Sequence, residues 1–349
     1  MGFRDDRKYL GNSKQLFRVD DYRLTGGRGD GMRMLEVHNG ADMEFVCSAD
    51  RCMDIHYLRC RGNNLGFMTC AGDVSPQYYD SRGFGWMRSF TAGFMTTCGL
   101  LNTGLPEEYG GRERGLHGRA SNTPAENVGV IIDETEEGIG ARLCGTVREA
   151  YPTGENLELT RTVSAAYGDP CIRIHDVVRN RGVGESLHMM LYHFNLGYPL
   201  LSENTILLIP TKKVTPRDSD AAANPEAWKV VTPPEKGIPE MCYYHELKAA
   251  PDGRTFVAAY NPAVSAGVAI HFDRGVLDHF VQWRQLTTGY YAMGLEPCNA
   301  TIDGISDALK NGSAKFLRPG ESVTYDITIE LLGGQERFDG LLEECEKLS

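Results

Sequence analysis

Three short stretches of this 349-residue chain each combine an ionisable side chain with a residue that interrupts regular structure. GLHGR at 115–119 sets His117 between glycines, with Arg119 two residues on. YHFNLG at 192–197 carries His193 and Asn195, and GLEPCN at 294–299 has Glu296 followed by a proline. Two imidazoles and a carboxylate are what acid–base work near neutral pH requires: one group to donate a proton, one to accept it and one to orient or polarise. Each also has a plainer reading. A histidine in an apolar run is commonly held by a backbone carbonyl, a glycine-flanked one is commonly a loop donor, and a glutamate before proline is commonly solvated. Spacing along the chain does not show that the three converge.

The elements that must position these groups read as strands. Residues 187–201, LHMMLYHFNLGYPLL, form an apolar run stopped by Gly197 and Pro199, and strand periodicity projects His193 and Asn195 from one side of its end. Alternating runs at 128–133, 141–149, 157–163, 171–180 and 187–195 are separated by turn signals such as PTGEN and YGDP, the pattern of an antiparallel meander. Further strands are expected at 15–19, 32–38, 43–48, 241–247, 255–260, 267–272, 280–285 and 290–296, and the cleanest alternation covers 323–331. Residues 335–348 read as an amphipathic helix, 218–239 as a polar excursion, and GGRGDG at 26–31 as a turn. Between 62 and 127 no period holds, and the aromatics there, Trp86 and Phe90 among them, point to an ordered surface that covers a ligand. With no βαβ rhythm and no solenoid repeat, the expected fold is all-β, a large antiparallel β-sandwich forming a single domain over 1–349.

Composition narrows the partners. Thirty-six basic against 47 acidic residues leave a net charge of −11 with no basic tract, which argues against nucleic acid or an anionic membrane and favours a small ligand. The ten cysteines are scattered without a CxxC pair and the opening MGFRDDRKYLGN is polar, so reduced thiols in a cytoplasmic protein are expected. Assembly into a homo-oligomer is left open. Arg51 and Asp54 bracket the start of a strand, and an ion pair or two ligand-facing groups fit equally well.

Taken together and in this order, GLHGR, YHFNLGYPLL and GLEP resemble the aldose 1-epimerase (galactose mutarotase) superfamily, and most of all a divergent aldose-1-epimerase-like branch of it. The resemblance spans most of the chain and implies the galactose mutarotase-like supersandwich, with catalysis by His117, His193 and Glu296. In the roles it implies, Glu296 takes the proton of the sugar C1 hydroxyl, His193 protonates the ring oxygen and His117 hydrogen-bonds near that oxygen. Two departures stand out. The superfamily's upstream arginine motif is not recognisable, and Arg88 is taken as its nearest counterpart, with Arg82 in the same region. No aspartate between His193 and Glu296 matches the sugar-binding one, and Asp54 is taken to do that job from elsewhere. Asn195, Arg119, Gln282 and Trp283 complete the expected substrate contacts, Trp283 with core packing as its alternative.

The expected partner is therefore a small carbohydrate, with no cofactor. The arginines at 51, 82, 88, 112, 114 and 119 admit an anionic sugar held by guanidinium forks. Two rival readings share the scaffold. In one, His117, His193 and Glu296 bind a divalent metal that serves a keto-sugar epimerase, isomerase or lyase by stabilising an enediolate. In the other, the chain is a carbohydrate-binding module without turnover.

Overall fold

The computed structural model describes residues 3–349. The alternating runs fold as antiparallel strands whose inward rows supply a core. In Ile139–Ala150 every second residue from Ile139 is buried, and the strand pairs along its whole length with Asn156–Ala166. These two, with Glu126–Glu134 and Cys171–Asn180, make four strands of the expected meander, one half of an eight-stranded sheet, whereas its expected fifth strand, Ser186–Leu196, crosses to the other sheet because both its faces are apolar and need cover. Ser322–Leu332 joins that sheet beside Cys171–Asn180, and Ala266–Asp273, Arg254–Asn261 and Ile206–Leu208 complete it. A second sheet runs in the order Thr211–Pro216, Met241–Leu247, His279–Thr287, Tyr290–Cys298, Ser186–Leu196 and Lys315–Leu317, with Met95–Leu100 also paired to Ser186–Leu196. The fold is thus the large antiparallel β-sandwich, with a third, five-stranded sheet from Arg18–Arg23 to Asn63–Asn64 added at one side.

Ser186–Leu196 is buried at all eleven positions. Its lack of alternation has a physical cause, since both faces of a central strand are covered. Met190, Tyr192, Phe194 and Leu196 enter the main core between the sheets. On the opposite face Leu191 joins an aromatic cluster with Trp86, Phe90 and Trp283. That second face is where the histidine points.

A buried ionic network ties the three sheets together. Arg161, fully buried, donates to both carboxylate oxygens of Asp176, at 2.9 and 2.7 Å, and to Asp54 at 2.8 Å. Asp176 also accepts from the Tyr192 hydroxyl at 2.6 Å, and Asp54 accepts the Thr97 backbone N–H at 2.9 Å. Every charge has partners, the condition under which such a group is tolerated inside a protein.

The structure corrects the sequence reading in three further places. The segment 62–127 contains a strand, Met95–Leu100, buried at every position, which MTTCGL conceals by mixing small and polar residues. A short helix, Ile305–Asn311, precedes the tail helix, so the C-terminal element is not the only helix in the last third. The first strand begins at Arg18 and not near residue 15. The tail helix forms over Gln335–Glu346 and docks through Phe338, whose ring stacks on Tyr260 at 5.2 Å. Among the described residues no helix is long and apolar enough to cross a membrane.

Candidate active site

Strand register brings His193 and Glu296 together. Leu191 stands opposite Cys298 and Phe194 opposite Leu295, which sets His193 beside Glu296 on the next strand. Nε2 of His193 lies 3.2 Å from Oε1 of Glu296. The two are within reach but not aligned as a hydrogen bond, and His193 Nδ1 and Glu296 Oε1 have no protein partner. Both side chains face a cavity of 420 Å³, within the range of small-molecule sites. From the neighbouring strand Trp283 and Gln285 face the same space.

Gly294 makes room for the carboxyl. A Cβ built there would lie 2.2 Å from Oε1 of Glu296. Gly294→Ala is therefore expected to push the Glu296 carboxyl out of place and to lower turnover by about a hundredfold while the protein stays folded, since misplacement of about 1 Å costs that much. Steady-state rates together with circular dichroism check this, and turnover within threefold of wild type, roughly, would remove Gly294 from the argument.

His117 comes from the irregular segment and depends on backbone geometry. It has φ +57°, a left-handed conformation that costs about 1–3 kcal/mol for a non-glycine residue and persists only where the surroundings impose it. They do so here. Its N–H donates to Gly104 O at 2.9 Å and its carbonyl accepts from Gly99 N at 3.0 Å. The adjoining Gly118 approaches the backbone so closely that a Cβ would meet Gly99 O at 2.4 Å. The ring Nδ1 lies 3.2 Å from the Gly104 N–H and accepts from it. That places the proton on Nε2 and makes His117 a donor.

Aromatic rings wall the space. Trp86 and Phe90 stack at 4.4 Å, Trp86 lies 4.8 Å from the His117 ring, and His193 has Phe90 at 5.7 Å and Trp283 at 5.5 Å. The low-polarity surroundings set the proton inventory. Burial lowers His117 to about 3, helped by His193 and Arg217, and lowers His193 to about 4. Burial also raises Glu296 well above the usual carboxylate range, with Glu240 adding to the rise and Arg217 opposing it. Burial thus favours the uncharged form of all three groups, the neutral imidazoles and the protonated carboxyl.

Not all the residues singled out in the sequence reach this cavity. His117, His193, Glu296 and Trp283 line it. Asn195 does not; its side-chain amide turns back to the carbonyl of His193 at 2.9 Å. Gln282 lies on the opposite face from Trp283, as strand alternation requires, and donates to Trp228 O at 3.0 Å. Asp54 is held by Arg161 and Thr97 in the buried network. Arg88 is exposed on a short helical turn, and Arg119 borders a separate cavity. Arg51 is buried as a structural donor to Val74 O and Asn122.

Other groups stand where those were expected. Arg217, Glu240, Gln285 and Tyr290 line the cavity. Arg217 is anchored by Asp303 at 2.7 Å, and Asp303 in turn accepts from Tyr244 at 2.6 Å. Nothing in PTKKVTPRDSD distinguishes Arg217 from its polar neighbours, although the alternation that separates Gln282 from Trp283 also places Gln285 beside the latter. Among the described residues no three His, Cys, Asp or Glu side chains stand close enough to hold a metal ion.

Solved structures share this fold. A candidate aldose 1-epimerase from Klebsiella pneumoniae is 26% identical, with a TM-score of 0.91 over 97% of this chain and 90% of that one. A galactose mutarotase-like protein from Clostridium acetobutylicum is 13% identical, with a TM-score of 0.65 over 91% of this chain and 99% of that one. The galactose 1-epimerase from Lactobacillus acidophilus is 11% identical, with a TM-score of 0.56 over 91% and 100% of the respective chains. No protein with a curated description matches the chain. The model of a domain of unknown function, DUF4432, matches residues 29–331, and with most of its length covered the chain belongs to that family.

Proposed function

We propose that the protein is an aldose 1-epimerase that interconverts the anomers of an uncharged sugar. The observation that carries this reading is the His193–Glu296 pair, 3.2 Å apart inside an aromatic-walled cavity that His117 also enters. Fold likeness to aldose 1-epimerase and mutarotase-like structures supports it. Burial favours the proton on Glu296 over His193. A sugar C1 hydroxyl donating to that carboxyl favours its ionised form and passes the proton to His193. Glu296 then removes the C1 hydroxyl proton as the C1–O5 bond breaks, C1 becomes an aldehyde carbonyl and O5 takes the proton from His193. The pair again holds one proton. Rotation about C1–C2 and the reverse steps close the ring to the other anomer, while the Nε2–H of His117 donates to the oxygen on which charge develops.

The cavity favours an uncharged substrate. Arg217 is the one arginine lining it and is already paired with Asp303, while Glu240 adds a carboxyl. The arginines that raised the prospect of an anionic sugar lie elsewhere. Trp86, Phe90, Trp283 and Tyr290 supply aromatic surface against which the C–H sides of a pyranose can pack. Saturation-transfer NMR between the anomers of a panel of neutral and acidic aldoses tests this. Accelerated exchange for a neutral aldose is the expected result; acceleration confined to acidic sugars would overturn the substrate class, and none at all would overturn the reaction.

A further inference from the structure

Behind the GLHGR loop lies a second cavity, of 400 Å³. Gly115, Gly118 and Arg119 line it, while Leu116 and His117 of the same five residues line the acid–base cavity. The loop is a shared wall between two spaces of different character. Around the second space stand four guanidiniums, Arg112, Arg114, Arg119 and Arg148, against three carboxyls, Glu113, Glu149 and Glu155.

Charge pairing there is incomplete. Arg112 and Arg114 share the single carboxylate of Glu155. Arg148 is turned to Glu158, which also holds Arg181, and Glu113 accepts the Gly83 N–H at 2.8 Å. The Arg119 side chain has no ion pair or hydrogen bond among the described residues and lies over the Tyr79 ring at 5.8 Å. The Nε of Arg114 is buried without an acceptor, on a side chain only 13% exposed. Such a donor carries a desolvation cost and leaves that guanidinium incompletely satisfied.

Glu149 does not cancel the excess. It ends the inward row of Ile139–Ala150, is 8% exposed, and uses Oε2 to accept the Leu100 N–H at 2.8 Å. Burial raises it to about 7, against the pull of that N–H and of Arg114 and Arg119. In its protonated form it offers a further donor. The space is thus short of acceptors and rich in forked donors, which match the oxygens of a phosphate or carboxylate.

We infer that this cavity binds a small ligand through an oxyanion, a phosphate or a carboxylate, held by Arg114 and Arg119 in a site separate from the acid–base cavity. The arginines clustered at 112–119 then have a function that the sugar site does not use.

Calorimetric titration of the full chain tests the inference, with inorganic phosphate in one arm and malonate in the other. At least one probe is expected to bind with a Kd below about 10 mM, and the tighter one identifies the group recognised. Arg119→Ala, at an exposed position that leaves the fold intact, is expected to weaken binding roughly tenfold or more, as is Arg114→Gln. Arg217→Gln, in the other cavity, should leave it unchanged. The inference is overturned if neither probe binds, if binding survives both Arg119→Ala and Arg114→Gln, or if Arg217→Gln abolishes it. Because the readout is binding alone, its failure is separate from any failure of the epimerase reading.

Discussion

Glu296→Gln is expected to lower anomer exchange by about 10²- to 10⁴-fold, the range attributed to a positioned acid–base group, while sugar binding persists. The substitution keeps size and shape at a residue only 1% exposed, and it removes a group whose charge burial disfavours. Its melting temperature should therefore equal or exceed that of the wild type, which separates lost chemistry from lost fold. The pH profile gives a second readout. Burial holds His193 down to about 4 and pushes Glu296 up, so between these limits the pair carries one proton. As pH falls through the lower value the pair takes a second proton and no carboxylate base remains. As pH rises through the elevated Glu296 value the last proton leaves and no acid remains. The wild-type rate should therefore be flat between those two limits and fall beyond each of them. A Glu296→Gln enzyme retaining more than about a tenth of wild-type exchange would leave the reaction to the histidines.

The largest expected effect on stability is at Arg161. Arg161→Met should cost about 3–5 kcal/mol, read from urea unfolding, because it leaves two buried carboxylates without their cation. Asp54 and Asp176 each lose their contact, and Tyr192, next to His193, keeps only the bond it donates to Asp176. Replacing all three charged residues together with apolar ones should recover most of the loss, since an uncompensated charge is more costly than an absent one. A loss below about 1 kcal/mol for Arg161→Met would show that water or rearrangement satisfies the aspartates. The network also joins Asp54 to Thr97 in the strand beside Ser186–Leu196. A reduced rate in the folded fraction would then report its hold on the acid–base pair.

How much of the site could be read in advance depended on the strand face. Where one face meets water, as in Ile139–Ala150 and Ser322–Leu332, period two appears directly and strand limits follow within about two residues. Met95–Leu100 is buried on both faces and carries threonines whose polarity is absorbed locally, Thr97 on Asp54 and Thr96 on Ala92 O. Its composition therefore resembles loop. Arg88 and Asp54 were plausible sugar ligands by residue type, yet one is exposed and the other satisfied within the core. Gln282 adjoins Trp283 in the chain, but neighbours on a strand face opposite ways, so only Trp283 reaches the cavity.

The amino-acid order contains the acid–base side chains, the strands that carry them and the stops that end those strands, because propensity, alternation and turn chemistry act over a few residues. It does not contain the register that sets His193 against Glu296, nor the arrival of Arg217 and its Asp303 anchor in the same cavity. Those juxtapositions join residues about a hundred apart, and they follow from how two sheets bury their apolar faces together. The depressed imidazoles and the raised carboxyl have the same origin. Desolvation belongs to the packed cavity and to no single residue in the chain.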